Sequence, residues 1–215
     1  MSVIVLAGTI GAGKSTLTKL IADRLGTDAF YESVDNNDIL PLFYAEPKKY
    51  AFLLQVYFLN KRFENIKMAL AEDNNVLDRS IYEDSLLFHL NADLGRASAP
   101  EVKVYDELLK NMMEELPYAT KKKRPDLLVH IHVSFETMLN RIKKRGRPFE
   151  QIEYDESLYS YYEELNKRYT QWFEDYSESP KIQIDGDALD FVDDVSAREA
   201  VLAIIEEKLE EISDL

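Results

Sequence analysis

Every position of Val3–Ala7 is apolar, and three of the five are β-branched. A run of that kind predicts a strand buried on both faces, as in the middle of a parallel sheet. Similar short runs lie at Ala29–Tyr31, Asn75–Leu77, Asp126–Val133 and Lys181–Ile184. Between them, apolar positions recur at helical spacing over Ser15–Leu25, Lys48–Glu72, Ile81–Leu90, Pro100–Leu116, Phe135–Lys144, Ser157–Tyr176 and Ser196–Ile212. Strand followed by helix, repeated, predicts an α/β fold of three layers, with a five-stranded parallel sheet flanked by helices.

The segment after Lys48 has no clear polar side, because Tyr50-Ala51-Phe52-Leu53-Leu54-Gln55-Val56-Tyr57-Phe58-Leu59 is apolar nearly all round. Such a helix is buried on more than one side. Packing against a second chain would bury it, so the pattern predicts a two-fold dimer, with an identical subunit or a paralogue. Internal packing is the other reading.

Composition narrows the partners. With 215 residues and 46% apolar content, one core and one domain over residues 1–215 are expected. The 26 basic and 40 acidic side chains leave a net charge of −14, which repels nucleic acid polymers and anionic membranes. A nucleotide must therefore be held by a local basic pocket. The chain has no cysteine and three histidines, which excludes disulfides and thiolate metal sites and leaves too few histidines for an ordinary zinc site without carboxylate help. No basic leader precedes the first strand and no apolar run reaches bilayer-spanning length, so the expectation is a soluble, cytoplasmic protein. The dense basic patch Lys121–Arg124, ahead of Pro125, reads as a solvated turn.

Gly8-Thr9-Ile10-Gly11-Ala12-Gly13-Lys14-Ser15, followed by Thr16, has the spacing of a phosphate-binding loop, with a strand before it and a helix after it. Glycines let the backbone aim its N–H groups at phosphate oxygens, and the helix N-terminus adds partial positive charge. Lys14 supplies a full charge and the Ser15 hydroxyl is the expected magnesium ligand. The architecture is then that of a P-loop kinase.

Other polar residues stand at places that suit a second ligand. Glu32 follows the second strand, at the sheet edge where open parallel sheets hold ligands; taken alone it also fits a solvated loop. Gln55 interrupts the apolar helix, so its amide needs partners, either a purine edge read bidentately or local backbone. Arg62 lies two turns further along the same face. Asp84 and Phe88 are four apart and share a helix face, suiting contact and stacking with a base, or else an ordinary surface carboxylate and core ring. Arg141, Arg145 and Arg147 flank Gly146, as arginines of a lid over phosphates would. His130 and His132, Trp172 and the tyrosines of the late helix read as packing residues.

Taken in order, the loop, Glu32-Ser33-Val34, the Gln55 helix, Asp78-Arg79-Ser80 with Asp84, and Arg141 to Arg147 resemble the deoxynucleoside kinase family over nearly the whole chain, and most of all its bacterial deoxyadenosine/deoxyguanosine members. The resemblance implies ATP and Mg2+ as donor and cofactor, and a deoxynucleoside as acceptor, deoxyadenosine first, with deoxyguanosine or deoxycytidine as alternatives. By the same resemblance Glu32 takes the proton of the 5′-hydroxyl, and Arg79 steadies Glu32 and the transferring phosphoryl. Asp78, where most relatives carry the longer Glu, helps position magnesium. Gln55, Arg62, Asp84 and Phe88 hold the base, and Tyr44 and Glu150 the 3′-hydroxyl. Arg145 and Arg147 close a lid at about 141–150 on the phosphates, and Arg141 and Asp187 lie near the donor adenine. A nucleoside-monophosphate kinase of the same fold is the rival reading; it would need arginine where Glu32 puts negative charge. A nucleotide-dependent switch would need a guanine-reading loop that the sequence does not display.

Overall fold

The structure is a computed structural model that describes residues 2–32, 37–71, 74–119 and 124–214. Ser33 and Val34 of the second motif, Glu72 at the end of the expected long helix, and Lys121–Lys123 of the basic patch lie outside the described residues.

Five strands, β1 (Val3–Ala7), β2 (Asp28–Phe30), β3 (Asn75–Asp78), β4 (Leu127–His132) and β5 (Lys181–Asp185), form one parallel sheet in the order β2-β3-β1-β4-β5. The helices are α1 (Lys14–Leu25), α2 (Ile39–Ala45), α3 (Pro47–Ala69), α4 (Asp84–Asp93), α5 (Ala99–Ala119), α6 (Phe135–Arg145), α7 (Ser157–Asp175) and α8 (Val195–Ser213). Short 3-10 turns at Ile81–Glu83 and Pro148–Glu150 precede α4 and α7.

The unbroken apolar run of β1 has its predicted cause. Its alternate side chains serve opposite layers: Ile4 and Leu6 pack with Leu17 and Ile21 of α1, Met138 of α6 and Val201 of α8. Val3, Val5 and Ala7 pack with Leu59 and Ile66 of α3, Phe88 of α4 and Tyr105 of α5. Both faces of the central strand are thus closed, and the C-terminal ends of β1 and β3, in register at Leu6 and Asp78, are left to carry chemistry.

Sequence reading placed no helix over Ile39–Ala45. Pro41 and Pro47 argue against one, yet Pro41 falls in the first turn of α2, where its missing N–H costs nothing, and Pro47 opens α3. The side chain of Asn37 accepts from the backbone N–H groups of Ile39 and Leu40 and so starts the turn. Leu40 and Phe43 of α2 pack on Ala51 and Leu54 of α3, forming a small third core that walls one side of the ligand edge. Leu53 of α3 is half-exposed, so the chain alone does not bury this helix all round.

Candidate active site

β1 delivers the backbone to Gly8, whose φ of 146° and close approach to β4 admit no side chain: a Cβ there would lie 2.7 Å from the Ile131 carbonyl oxygen. Gly13, at φ 101°, turns the chain into α1. Lys14 reaches back across the loop, its Nζ donating to the carbonyls of Gly8 at 2.7 Å and Thr9 at 3.0 Å. Burial, then the neighbouring Arg79, lower its pKa to about 8 against the pull of Glu83, Asp78 and Glu32. Ser15 Oγ donates to Asp78 Oδ2 at the end of β3, while Asp78 Oδ1 is buried without a hydrogen-bond partner. A hydroxyl and a carboxylate oxygen with spare capacity are hard donors suited to a magnesium ion that keeps phosphate and water as its other ligands.

Beside this loop lies a buried chain of ion pairs. Glu32 Oε1 accepts from Arg62 Nη2 at 3.0 Å, and Arg79 Nε stands 2.9 Å from the same oxygen as an ion-pair contact without hydrogen-bond alignment. The Nε of the Arg62 guanidinium donates to Asp84 Oδ2 at 2.6 Å. Burial pushes the Glu32 carboxyl up, but Arg79, Arg62 and Lys14 together outweigh it and hold the pKa at about 2. Glu32 is therefore an ionised acceptor at neutral pH. Arg79 has φ 82°, the only positive value at a non-glycine residue among those described, and such a backbone costs about 1–3 kcal/mol and persists only where its surroundings enforce it. The enforcing contacts are Glu32, the Tyr169 hydroxyl at 3.0 Å from Nη1, and Glu83 Oε1 at 3.5 Å.

These groups open into one cleft of about 510 Å³, whose wall includes Lys14, Glu32, Tyr44, Gln55, Arg79 and Glu150. Gln55 is 5% exposed and its Oε1 has no partner, the condition that a bound donor would relieve. Arg141 also faces the cleft; it donates to the carbonyls of Ala12 at 2.9 Å and Gly186 at 2.8 Å, tying the phosphate loop to the turn after β5. Arg145, the last residue of α6, and Arg147, just past the C-cap Gly146, converge on the buried Glu150, at 2.5 Å and 3.5 Å. The Tyr44 ring lies 5.2 Å from that of Phe149, and its hydroxyl shares a hydrogen bond with Tyr162, which donates to the Glu150 carbonyl at 3.0 Å. The segment after α6 and the wall that carries Tyr44 are thus one packed unit.

Four expected residues stand elsewhere than expected. Phe88 is wholly buried against the rings of Phe52 and Tyr105, because the face of α4 that it shares with Asp84 turns into α3 and α5; it does not line the cleft, and Phe58 is the phenylalanine of α3 that does. Arg62 and the buried Asp84 form the support behind Glu32 rather than the wall itself. Asp187 sits exposed in the turn after β5 and accepts from the Ser134 backbone N–H at 2.8 Å, at the start of α6. Conversely, Tyr169, read as packing, has its hydroxyl on Arg79, and Tyr161 lines the cleft. Glu83 has no assigned role in the sequence pattern, and its place beside Asp84 just before a helix is the one signal that marks it. His130 is a packing residue as expected, stacked on Phe173 and bonded to Gln183. No helix among the described residues is long and apolar enough to cross a membrane.

The family model described as deoxynucleoside kinase matches residues 4–210. The chain is 61% identical to a deoxyguanosine kinase of Lactobacillus acidophilus, over 100% of this chain and 94% of that one. It is 56% identical to a deoxyadenosine kinase of the same organism over the full length of both. The fold superposes on the structure of deoxyadenosine kinase from M. mycoides with bound dATP at a TM-score of 0.78, with 30% identity and coverage of 97% of this chain and 99% of that one. With the phosphate-loop motif, the arginine-bound glutamate and the arginines around Gly146 gathered at one parallel sheet, this chain belongs to the deoxynucleoside kinase family.

Proposed function

We propose that the protein moves the γ-phosphoryl group of ATP to the 5′-hydroxyl of a purine deoxynucleoside, deoxyadenosine first, as a step of nucleotide salvage. The single observation that carries the reading is Glu32: an ionised carboxylate held by two guanidinium groups on the wall of the cleft that also contains the phosphate loop. In the transfer, the bond from the γ-phosphorus to the bridging β,γ-oxygen breaks as the bond to the sugar 5′-oxygen forms. The hydroxyl proton passes to Glu32 and ADP leaves. A base held at a pKa of about 2 receives that proton late, which suits a loose transition state in which the attacking oxygen loses its proton after most of the bond change.

Each neighbouring residue has a part in this reading. The loop amides and Lys14 bind the β- and γ-phosphates, Arg79 orients Glu32 and takes up charge on the transferring group, and Arg145 and Arg147 exclude water over it. Ser15 and Asp78 hold magnesium, which when bound neutralises charge on the phosphate oxygens. Gln55 offers an acceptor and a donor side by side, matching the adenine amino group and a ring nitrogen. Guanine can satisfy the same amide through N1–H and O6, and the 61% identity to a deoxyguanosine kinase favours deoxyguanosine as the second reading. Tyr44 and Glu150 serve the sugar 3′-hydroxyl. The half-exposed Leu53 supports a dimer formed through α3.

A coupled assay with ATP and Mg2+ tests the reading, run with each of the four common deoxynucleosides and with deoxyadenosine monophosphate. Turnover on a purine deoxynucleoside and none on the monophosphate is expected. Transfer to the monophosphate alone overturns the acceptor assignment.

A further inference from the structure

Glu83 takes no part in the transfer just described, yet it is one of the most enclosed charged groups in the molecule, with no exposed surface. It ends the 3-10 turn Ile81–Glu83, which the Ser80 side chain caps by accepting from the Tyr82 N–H at 3.1 Å. From there its two oxygens go different ways. Oε2 accepts from the backbone N–H of Gly8 at 3.3 Å, and Oε1 faces Arg79 Nη1 at 3.5 Å as an ion-pair contact without a hydrogen bond. Gly8 is also the residue whose carbonyl receives Lys14 and whose α-carbon is pressed on β4. Arg79 is the residue whose backbone is held at positive φ.

We propose that Glu83 is a positioning residue that locks the phosphate loop and Arg79 into one frame, so that the donor's phosphates and the arginine that orients the base are set relative to each other by a single carboxylate. A buried carboxylate is costly to keep without charged partners, and Gly8 and Arg79 supply the compensation. Its neighbour in sequence does the matching task on the acceptor side: Asp84 grips Arg62, which grips Glu32. Two consecutive acidic residues therefore brace the donor loop and the base from the start of one helix. Burial pushes Glu83 up to about 7, against the downward pull of Arg79, Lys14 and Arg62.

The inference rests on the proposed kinase reading, and its test separates the two. Two variants divide the roles of the carboxylate. Glu83→Gln keeps an acceptor for Gly8 but removes the charge beside Arg79; Glu83→Asp keeps the charge but withdraws it by one methylene. For Glu83→Gln we expect kcat to fall at least tenfold with the KM for ATP within about threefold of wild type. For Glu83→Asp we expect calorimetric affinity for MgATP, measured without acceptor, to weaken at least fivefold. In neither variant should the KM for the deoxynucleoside move by more than about twofold. Thermal melts run in parallel guard against a general loss of structure. Wild-type kcat and ATP affinity in both variants would overturn the inference, as would a uniform decline of every parameter together with the melting temperature. If wild type binds MgATP but phosphorylates no nucleoside, the kinase reading fails, and the MgATP affinity of Glu83→Asp still decides the role of Glu83.

Discussion

Arg62 Nη2 lies 3.0 Å from Glu32 Oε1, and the same guanidinium gives its Nε to Asp84 at 2.6 Å. One planar cation thus satisfies two carboxylates at once, a geometry that the fork of arginine provides and the single ammonium of lysine does not. Arg62→Lys is therefore expected to lower kcat at least tenfold. Arg62→Met leaves Asp84 buried and unpaired, at a cost of about 3–5 kcal/mol, which is a fall in melting temperature on the order of 10 °C. Calorimetric melts and steady-state kinetics of the two variants check both figures; a wild-type melting temperature for Arg62→Met contradicts them.

The same ion pairs set a pH dependence with a definite sign. Glu32 is ordinary when unfolded, near 4.5, and is held at about 2 when folded by the two arginines and Lys14 against the effect of burial. Between those values the unfolded chain binds the proton and the folded one does not. The contribution of Glu32 is thus fully present above pH 4.5 and is lost as the pH falls toward 2. Urea titrations across that window should show Glu32→Gln losing less stability on acidification than wild type, by on the order of 3 kcal/mol. Glu83 has the opposite sign. Raised to about 7 by burial, it favours the folded state below pH 4.5 and gives that up as the pH climbs through 7. A steeper acid limb in Glu32→Gln than in wild type contradicts the assignment.

Gln55 separates function from stability. Its Oε1 is buried without a partner, so replacing the amide with a similar apolar volume removes an unsatisfied group. Gln55→Leu is expected to melt at or above the wild-type temperature while raising the KM for the deoxynucleoside at least tenfold, with the KM for ATP unchanged. An unchanged nucleoside KM excludes Gln55 from base recognition.

Much of this was legible in the residues, for a physical reason that also marks where legibility ends. The phosphate loop is local: the glycine spacing, the lysine and the helix start are read within nine residues, and Lys14 folds back onto Gly8 and Thr9 as such a loop requires. The apolar run of β1 announced a strand closed on both sides because both layers draw on its alternate positions. β2 and α5 were found to within one to three residues at their ends. By contrast, Tyr169 meets Arg79 across 90 residues of chain, and nothing in a tyrosine on a packed helix face says that its hydroxyl will be aimed at a guanidinium. Phe88 misled for the complementary reason. Four-residue spacing fixes which residues share a face but not what that face turns toward, and here it turns into Tyr105. α2 was hidden by two prolines that stand where a helix tolerates them.

The most direct test of the account compares wild type with Glu32→Gln under saturating ATP, Mg2+ and deoxyadenosine or deoxyguanosine. The account predicts formation of the 5′-monophosphate by wild type, and turnover lower by about 10²–10⁴-fold in the variant, with ATP affinity within threefold. Equal turnover by the two proteins would contradict it.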